Sequence, residues 1–300
     1  MTNEIIRSNR LELLKNEVFG ALDVTDATCN EYRVRITHFI RYAETHGINR
    51  NSYLDYKRYL AGIDTFSVST KNKYLIAAKI FLDGLHRLNL IPQKITDHVR
   101  GFTQSRLRRK EGLQDADIGK LQRYCSDLPP TPQNLRLRAL VALFLFQGLR
   151  QIEVVRLDVG DIDLRNKTAF IRGKGRDDKE PIHLHPSTVR VLREYLNCYR
   201  FRSEALFRSD SNHCRGERLT TKSVREIIKR VFAELEIDGS VHGFRHFFIT
   251  KLIKSYKGEL LMVSKYSRHR SIQMLEVYND EIIREQDLPR FYEIFKEIRI

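Results

Sequence analysis

From Ala139 to Phe146 the chain runs through eight apolar residues in succession, ALVALFLF. A helix that is apolar all round is buried, either in lipid or at the centre of a domain. Crossing a bilayer takes roughly 20 apolar residues, so this segment belongs at the centre of a domain. The helix that contains it, Leu135 to Gly148, must be enclosed by other elements. Gly148 is a suitable stop, because glycine tolerates the left-handed backbone that ends helices.

The chain has 300 residues. That length favours two domains and suffices for a core without disulfides or metals. The first third reads as helices. Cys29 to His46 places Tyr32, Ile36, Phe39, Ile40 and Ala43 on a 3.6-residue rhythm, with Thr28 as N-cap and Gly47 as C-cap. Asn51 to Gly62 forms a shorter helix. A third starts near Ser69 or Thr70 and runs through Leu85, with Lys71, Lys73 and Lys79 projecting away from its apolar face. The stretch RGFTQSRLRRKEG, residues 100–112, reads as a linker whose Arg106, Arg108, Arg109 and Lys110 either face solvent or lie along phosphate.

A second domain begins near Leu113, with a helix capped by Asp115 or Asp117. Thr168–Arg172 and Glu180–His185 flank the turn-like GKGRDDK and read as a β-hairpin. Helices follow at Ser187–Arg200, Thr221–Leu235 and His246–Tyr256. Ser271 can cap a short helix to Val277, the charged 279–287 reads as a tether, and a last helix after Asp287 carries Phe291, Ile294, Phe295 and Ile298 on one face. The fold class is therefore mainly α with a small β-hairpin.

Lys plus Arg number 53 against 38 Asp plus Glu, a net charge of +15. The excess is spread over both halves, which favours a polyanion such as nucleic acid. The N-terminal MTNEIIRSNR lacks the apolar run of a signal peptide. Cys29, Cys125, Cys198 and Cys214 lie far apart and read as reduced thiols. His183, His185, His213 and Cys214 match no standard zinc spacing. GKG is not a phosphate-binding P-loop, since GxxxxGK(S/T) is absent.

Three groups carry chemistry. Arg150 follows the apolar helix, with Glu153 three positions later. His242 and Arg245, in HGFRH, stand one helical turn apart, offering a proton carrier and a fork of donors for phosphate. Ser267-Arg268-His269 precedes Tyr278 by nine residues from the histidine.

Taken in order, GLRQIE, the hairpin lysine of GKG, HGFRH followed by FFIT, and the His269-to-Tyr278 spacing resemble the tyrosine recombinase (phage integrase) family. The N-terminal helices, with STKNKYLIAAKIFL in the third, look like that family's core-binding domain. The resemblance implies a helical, SAM-like DNA-binding domain over 1–104, a basic linker over 105–112, and a catalytic domain over 113–300 with a C-terminal exchange helix. It implies a two-domain, C-shaped clamp on DNA. Arg150 and Arg245 would hold the non-bridging phosphate oxygens, and Tyr278 would attack to give a 3′-phosphotyrosyl link. Lys174 would protonate the departing 5′-oxygen, with Lys179 left open as an alternative. His242 would accept or orient the tyrosine proton, His269 would donate to a phosphate oxygen, and Glu153 would brace Arg150 or His242. Lys71, Lys73, Arg106, Arg108, Arg109, Lys110 and Arg268 would contact DNA. No metal and no ATP would be needed.

The implied partners are double-stranded DNA with an inverted-repeat core site, a homotetramer on synapsed DNA, and accessory proteins. No membrane is involved, and the implied location is the cytoplasm, on the nucleoid. The task would be integration, excision or resolution through a Holliday junction, with a Xer-like or mobile-element recombinase both open. A type IB-like topoisomerase and a non-catalytic DNA-binding protein of the same fold are the alternatives. Two departures stand out. Ser267-Arg268 replaces the family's usual Leu-Gly, and Met274 and Leu275 replace small hydroxyl residues. The C-terminal helix either docks on its own domain or inserts into a neighbour.

Overall fold

A computed structural model describes residues 10–104, 112–173, 175, 178–198, 204–211, 214–269, 271–294 and 296. The chain divides into two compact units, Met1–Ser105 and Arg106–Ile300.

The first unit is a set of four helices: α1 (Leu11–Gly20), α2 (Asp26–His46), α3 (Ser52–Ala61) and α4 (Val68–Arg87). They enclose Phe19, Ile36, Phe39, Tyr56, Phe81 and Leu82. α2 starts three residues before the expected Cys29. Its N-cap is Thr25, whose Oγ1 accepts from the Thr28 backbone N–H at 3.4 Å. Thr28 is therefore a first-turn residue and not the cap. Gly47 ends α2 at φ 68°, as its position suggested. Ser67 caps α4 in the same way, accepting from Thr70 N–H at 3.2 Å. α1 escapes a periodicity reading because it is only 10 residues long. Its Leu11, Leu14 and Val18 nevertheless form one buried face. Phe102, inside the stretch read as linker, is pinned to α4. Its N–H donates to Asn72 Oδ1 at 2.8 Å, and Asn72 Nδ2 returns a bond to Phe102 O at 2.9 Å.

The second unit holds α5 (Asp115–Asp127), α6 (Pro132–Gln147), α7 (Gln151–Val155), α8 (Pro186–Cys198), α9 (Thr221–Glu234), α10 (Val241–Ser255), α11 (Leu260–Ser267) and α12 (Gln273–Ile294). A small antiparallel sheet has the order β1 (Ile162–Asp163), β2 (Thr168–Arg172), β3 (Lys179–His183). The hairpin thus gains a third strand. Register pairs Ile171 with Glu180 and Arg172 with Lys179. α6 is the apolar helix that opened the sequence reading. Leu140, Leu143 and Phe144 on it are fully buried, and α8 and α10 pack against it. Pro132 and the Thr131 side chain, which accepts from Asn134 N–H at 3.3 Å, start it. Gln114 precedes α5, where its N–H donates to Asp117 Oδ2 at 2.9 Å.

Two helices differ from expectation in ways that matter for chemistry. α10 begins at Val241, five residues before the expected His246, so all of HGFRH is helical. α12 is one continuous 22-residue helix where a short helix, a tether and a last helix were expected. The charged 279–287 stretch contains Glu, Ile, Arg and Gln, which favour helix, and no Gly or Pro. A second small core of Ile249, Ile253, Val263, Leu275 and Ile282 joins α10, α11 and the start of α12. Phe295 and Ile298 lie outside the described residues.

Among the described residues no helix is long and apolar enough to cross a membrane. All four cysteines are free thiols.

Among the described glycines of the first unit the tightest is Gly84 on α4, where a Cβ would lie 2.4 Å from Val18 Cγ1 of α1. Val is stiff at χ1 and cannot swing aside cheaply. Gly84→Ala is expected to lower the stability of this unit by about 1–3 kcal/mol, measured by urea unfolding. Wild-type stability would show that α1 does not seat against α4 in this way.

Candidate active site

The end of α6 builds the first part of the site. Gly148 takes φ +57°, and a Cβ there would lie 2.3 Å from Phe248 Cδ1, so only glycine fits. The chain leaves extended through Arg150, the N-cap of α7. Glu153, at the third position of that helix, closes back on it. Its Oε2 accepts from the Arg150 backbone N–H at 2.8 Å and its Oε1 from Arg150 Nη1 at 2.9 Å. The three-residue spacing is thus a capping arrangement that also fixes the arginine side chain. Glu153 is 1% exposed.

Arg268 approaches the same carboxylate from the far side. Its Nη2 donates to Glu153 Oε2 at 3.2 Å and its Nη1 to Gln147 O at 3.2 Å. Arg268 was expected to contact DNA. Instead its side chain is turned inward, 9% exposed, with Nε 3.8 Å from Glu180 of β3. It occupies a left-handed position (φ 56°) at the end of α11. Burial alone would raise the Glu153 pKa. Arg268, then the hydrogen bonds from Arg150, more than reverse this and hold it below the usual carboxylate range.

Arg245 on α10 is 2% exposed. Its Nη1 donates to Gly148 O at 2.6 Å and its Nη2 to Ser267 O at 2.5 Å. One guanidinium therefore ties the end of α6 to the end of α11. Burial, with Arg150 and Arg268 nearby, pushes its pKa down to about 9, which leaves it charged at neutral pH. His269 follows Arg268 directly. Its Nδ1 is 2.8 Å from Ser267 Oγ, and its Nε2 is 3.5 Å from Arg245 Nη2. A guanidinium only donates, so Nε2 faces it as the unprotonated nitrogen, and Nδ1–H points to Ser267. Burial, then Arg245, Arg150 and Arg268, push the His269 pKa from 6.5 down to about 4.

Tyr278 lies on the first turns of α12, packed against the second small core. Its hydroxyl is 2.5 Å from His246 Nδ1. His242, one turn earlier on α10, sits edge-on to His246 with ring centroids 4.3 Å apart. His242 is the histidine that the family pattern marks, whereas His246 is the one that meets the tyrosine. The available signal was the four-residue spacing in HGFRH, which puts both imidazoles on one helix face.

Lys179 is taken up elsewhere. Its Nζ is 2.5 Å from Asp161 Oδ1 and 3.4 Å from Asp158 Oδ2. The Asp161 hydrogen bond, above all, raises its pKa. That is the opposite direction from the one that eases release of a proton. Lys174, Arg106, Arg108, Arg109 and Lys110 lie outside the described residues, as does His213. In the first unit, Lys73 is exposed and Lys71 Nζ donates to Ala61 O at 2.9 Å. Cations unmarked in the sequence reading are Lys222, Arg225 and Lys229, exposed along α9. They line an open groove with Gln151, Ser240 and Val241, the sequence neighbours of Arg150 and His242. Among the described residues no three His, Cys, Asp or Glu side chains are placed to hold a metal ion.

The low His269 pKa has a defined sign. Folding favours the neutral ring, so the stability it contributes is full above pH 6.5 and is lost as pH falls towards about 4. An NMR titration of the free protein is expected to show His269 with its midpoint near 4. A midpoint near 6.5 would mean that the three guanidiniums do not surround it.

The sequence profile of the phage integrase family matches residues 112–283. Tyrosine recombinase XerC of Herpetosiphon aurantiacus is 27% identical over 282 residues, covering 87% of this chain and 88% of its own length. Tyrosine recombinase slr0733 of Synechocystis sp. is 25% identical over 216 residues, covering 71% and 68%. In fold, the chain is similar to the XerH site-specific recombinase solved with its palindromic difH substrate in a post-cleavage complex. The TM-score is 0.74 at 21% identity, over 97% of this chain and 85% of that one. The profile match spans more than half of the chain and takes in Arg150, Glu153, His242, Arg245, His246, His269 and Tyr278, so the chain belongs to the phage integrase family, the tyrosine recombinases.

Proposed function

We propose that this recombinase cuts and rejoins DNA strands through Tyr278. Its Oη attacks the scissile phosphorus, the Oη–P bond forms and the P–O5′ bond breaks. The products are a 3′-phosphotyrosyl link and a free 5′-hydroxyl. Attack by the 5′-hydroxyl of another strand reverses the step and releases the tyrosine. The phosphotyrosine keeps the bond energy, so the cycle needs no ATP.

The observation that supports this reading is the grouping of Arg150, Arg245 and His269 around one buried carboxylate, Glu153, with Tyr278 beside Arg245's own helix. Guanidiniums held in advance stabilise the charge that grows on the phosphate oxygens during attack. Arg150 and Arg245 bind those oxygens, and His269 donates to one of them. A ring that is neutral without DNA gains a reason to take up a second proton once a phosphate sits among the arginines. Lys174, near the hairpin tip, protonates the leaving 5′-oxygen. His242 stands at the start of α10, edge-on to His246.

Affinity for DNA comes mainly from phosphate contacts. Lys71, Lys73 and the basic stretch from Arg106 to Lys110 supply them, and Lys222, Arg225 and Lys229 of α9 extend them. The 1–104 segment acts as the core-binding domain. The working form is a homotetramer on two inverted-repeat core sites, passing through a Holliday junction, in the cytoplasm on the nucleoid and with accessory proteins. The outer part of α12 supports an exchange role in that assembly, because Phe291, Tyr292 and Ile294 on it are 50%, 63% and 67% exposed.

Covalent trapping tests the reading. Nicked duplexes tiled across the DNA flanking the gene are expected to give a shifted protein–DNA band on a denaturing gel. Tyr278→Phe is expected to abolish the band while leaving duplex binding within about twofold, since it removes one hydroxyl and no charge. Binding that collapses with the band would make Tyr278 structural.

A further inference from the structure

We infer that His246 is the residue that positions the nucleophile, by holding the Tyr278 hydroxyl through its Nδ1. This rests on Tyr278 being the attacking group. The two side chains meet at 2.5 Å, with ring centroids 5.5 Å apart.

The backbones behind this contact are fixed to one another. Leu275, Tyr278 and Ile282 share one face of α12. Leu275 is fully buried and Ile282 is 7% exposed. They pack on Ile249 and Ile253 of α10 and Val263 of α11. Ile249 lies three residues beyond His246, so the imidazole and the phenol rise from two helices that one buried cluster locks together. What the cluster leaves free is the phenol's own two torsions. A hydrogen bond at the hydroxyl end removes that freedom, and orientation of a reacting atom is worth large rate factors.

The polarity of the bond also matters. Oη needs an unshared lone pair to attack and must shed its proton as it does so. Nδ1 as acceptor leaves both Oη lone pairs available and draws on the departing proton. Arg245 lies one residue before His246 on α10, and its guanidinium donates to the carbonyl oxygens of Gly148 and Ser267. Of this neighbouring pair, the imidazole is the one with a nitrogen that can accept.

Stereochemistry gives a sharp test. In an imidazole, Nδ1 is two bonds from Cβ, and the side-chain amide atoms of Asn stand at the same distance. Gln reaches further, to where Nε2 would be. His246→Asn, His246→Gln and His246→Phe should be compared with the wild type and with Tyr278→Phe. The readouts are duplex Kd, melting temperature and the single-turnover rate of covalent adduct formation on a nicked duplex.

Kd and melting temperature are expected to hold in all of them. The adduct rate is expected to fall on the order of 100-fold in His246→Phe and His246→Gln, and to stay within about fivefold of wild type in His246→Asn. A general loss of packing would not distinguish Asn from Gln in this order. Wild-type or faster cleavage by His246→Phe overturns the inference, as does His246→Asn being as slow as His246→Gln. Should the Phe variant not fold, the Asn–Gln comparison decides by itself. An adduct that survives in Tyr278→Phe sinks the nucleophile assignment instead, and the positioning claim with it.

Discussion

Glu153 lies inside the second unit with a guanidinium on either side, and the rest of the site hangs on that contact. Its two oxygens take the Arg150 backbone, the Arg150 side chain and Arg268. Removing an ion from water costs several kcal/mol even after relaxation, and three arginines crowd this region. One buried carboxylate cannot neutralise three guanidiniums, and Glu180 stands only at the edge, 3.8 Å from Arg268. Burial, and after it the excess positive charge, lowers the pKa of both Arg245 and His269. A protein tolerates such an excess where an anion completes it, and a phosphodiester has the charge and the oxygens to do so.

The arginines and the tyrosine belong to different packing units joined by one helix. α10 contributes Phe244 to the large core around α6, and Ile249 and Ile253 to the small core under α12. Between them it carries Arg245 and His246. Any tilt of α10 would move the Arg245 guanidinium and the tyrosine's partner together. Arg245 resists that tilt by bonding to Gly148 O and Ser267 O. Gly148 is confined to glycine for the same reason, since a side chain there would strike Phe248 of α10.

What the sequence made legible was local. GLRQIE announces a helix start with an acid three residues in, and Arg150 and Glu153 do meet at 2.9 Å. The hairpin and the apolar helix followed from alternation and from an unbroken apolar run. Contacts made across the fold were not legible. His246 meets Tyr278 over 32 residues of separation, and the four-residue spacing in HGFRH gives its helix face but not its partner. Arg268 looked like a free cation because its partner, Glu153, is 115 residues away. Lys179 was ambiguous until Asp158 and Asp161 were seen to claim it. α11 passed unread because KGELLMVSKYS is short and its buried face is narrow, with Val263 and Ser267 as the residues that turn inward. The charge of 279–287 resembles a tether, but its Glu, Arg and Gln residues also favour helix, and α12 runs through it unbroken.

The central claim is that this arginine cluster is a site for one phosphate group. The most direct measurement is the melting temperature of the free protein in rising inorganic phosphate, against chloride at matched ionic strength. It should be made on the wild type and on Arg150→Gln. Arg150 is the partly exposed member, with 31% of its side chain open, and its backbone N–H still reaches Glu153 after the substitution, so each protein is judged by its phosphate-dependent shift and not by its absolute melting temperature. The account predicts a saturable rise with phosphate in the wild type that is absent from Arg150→Gln. The same rise in both proteins would contradict it.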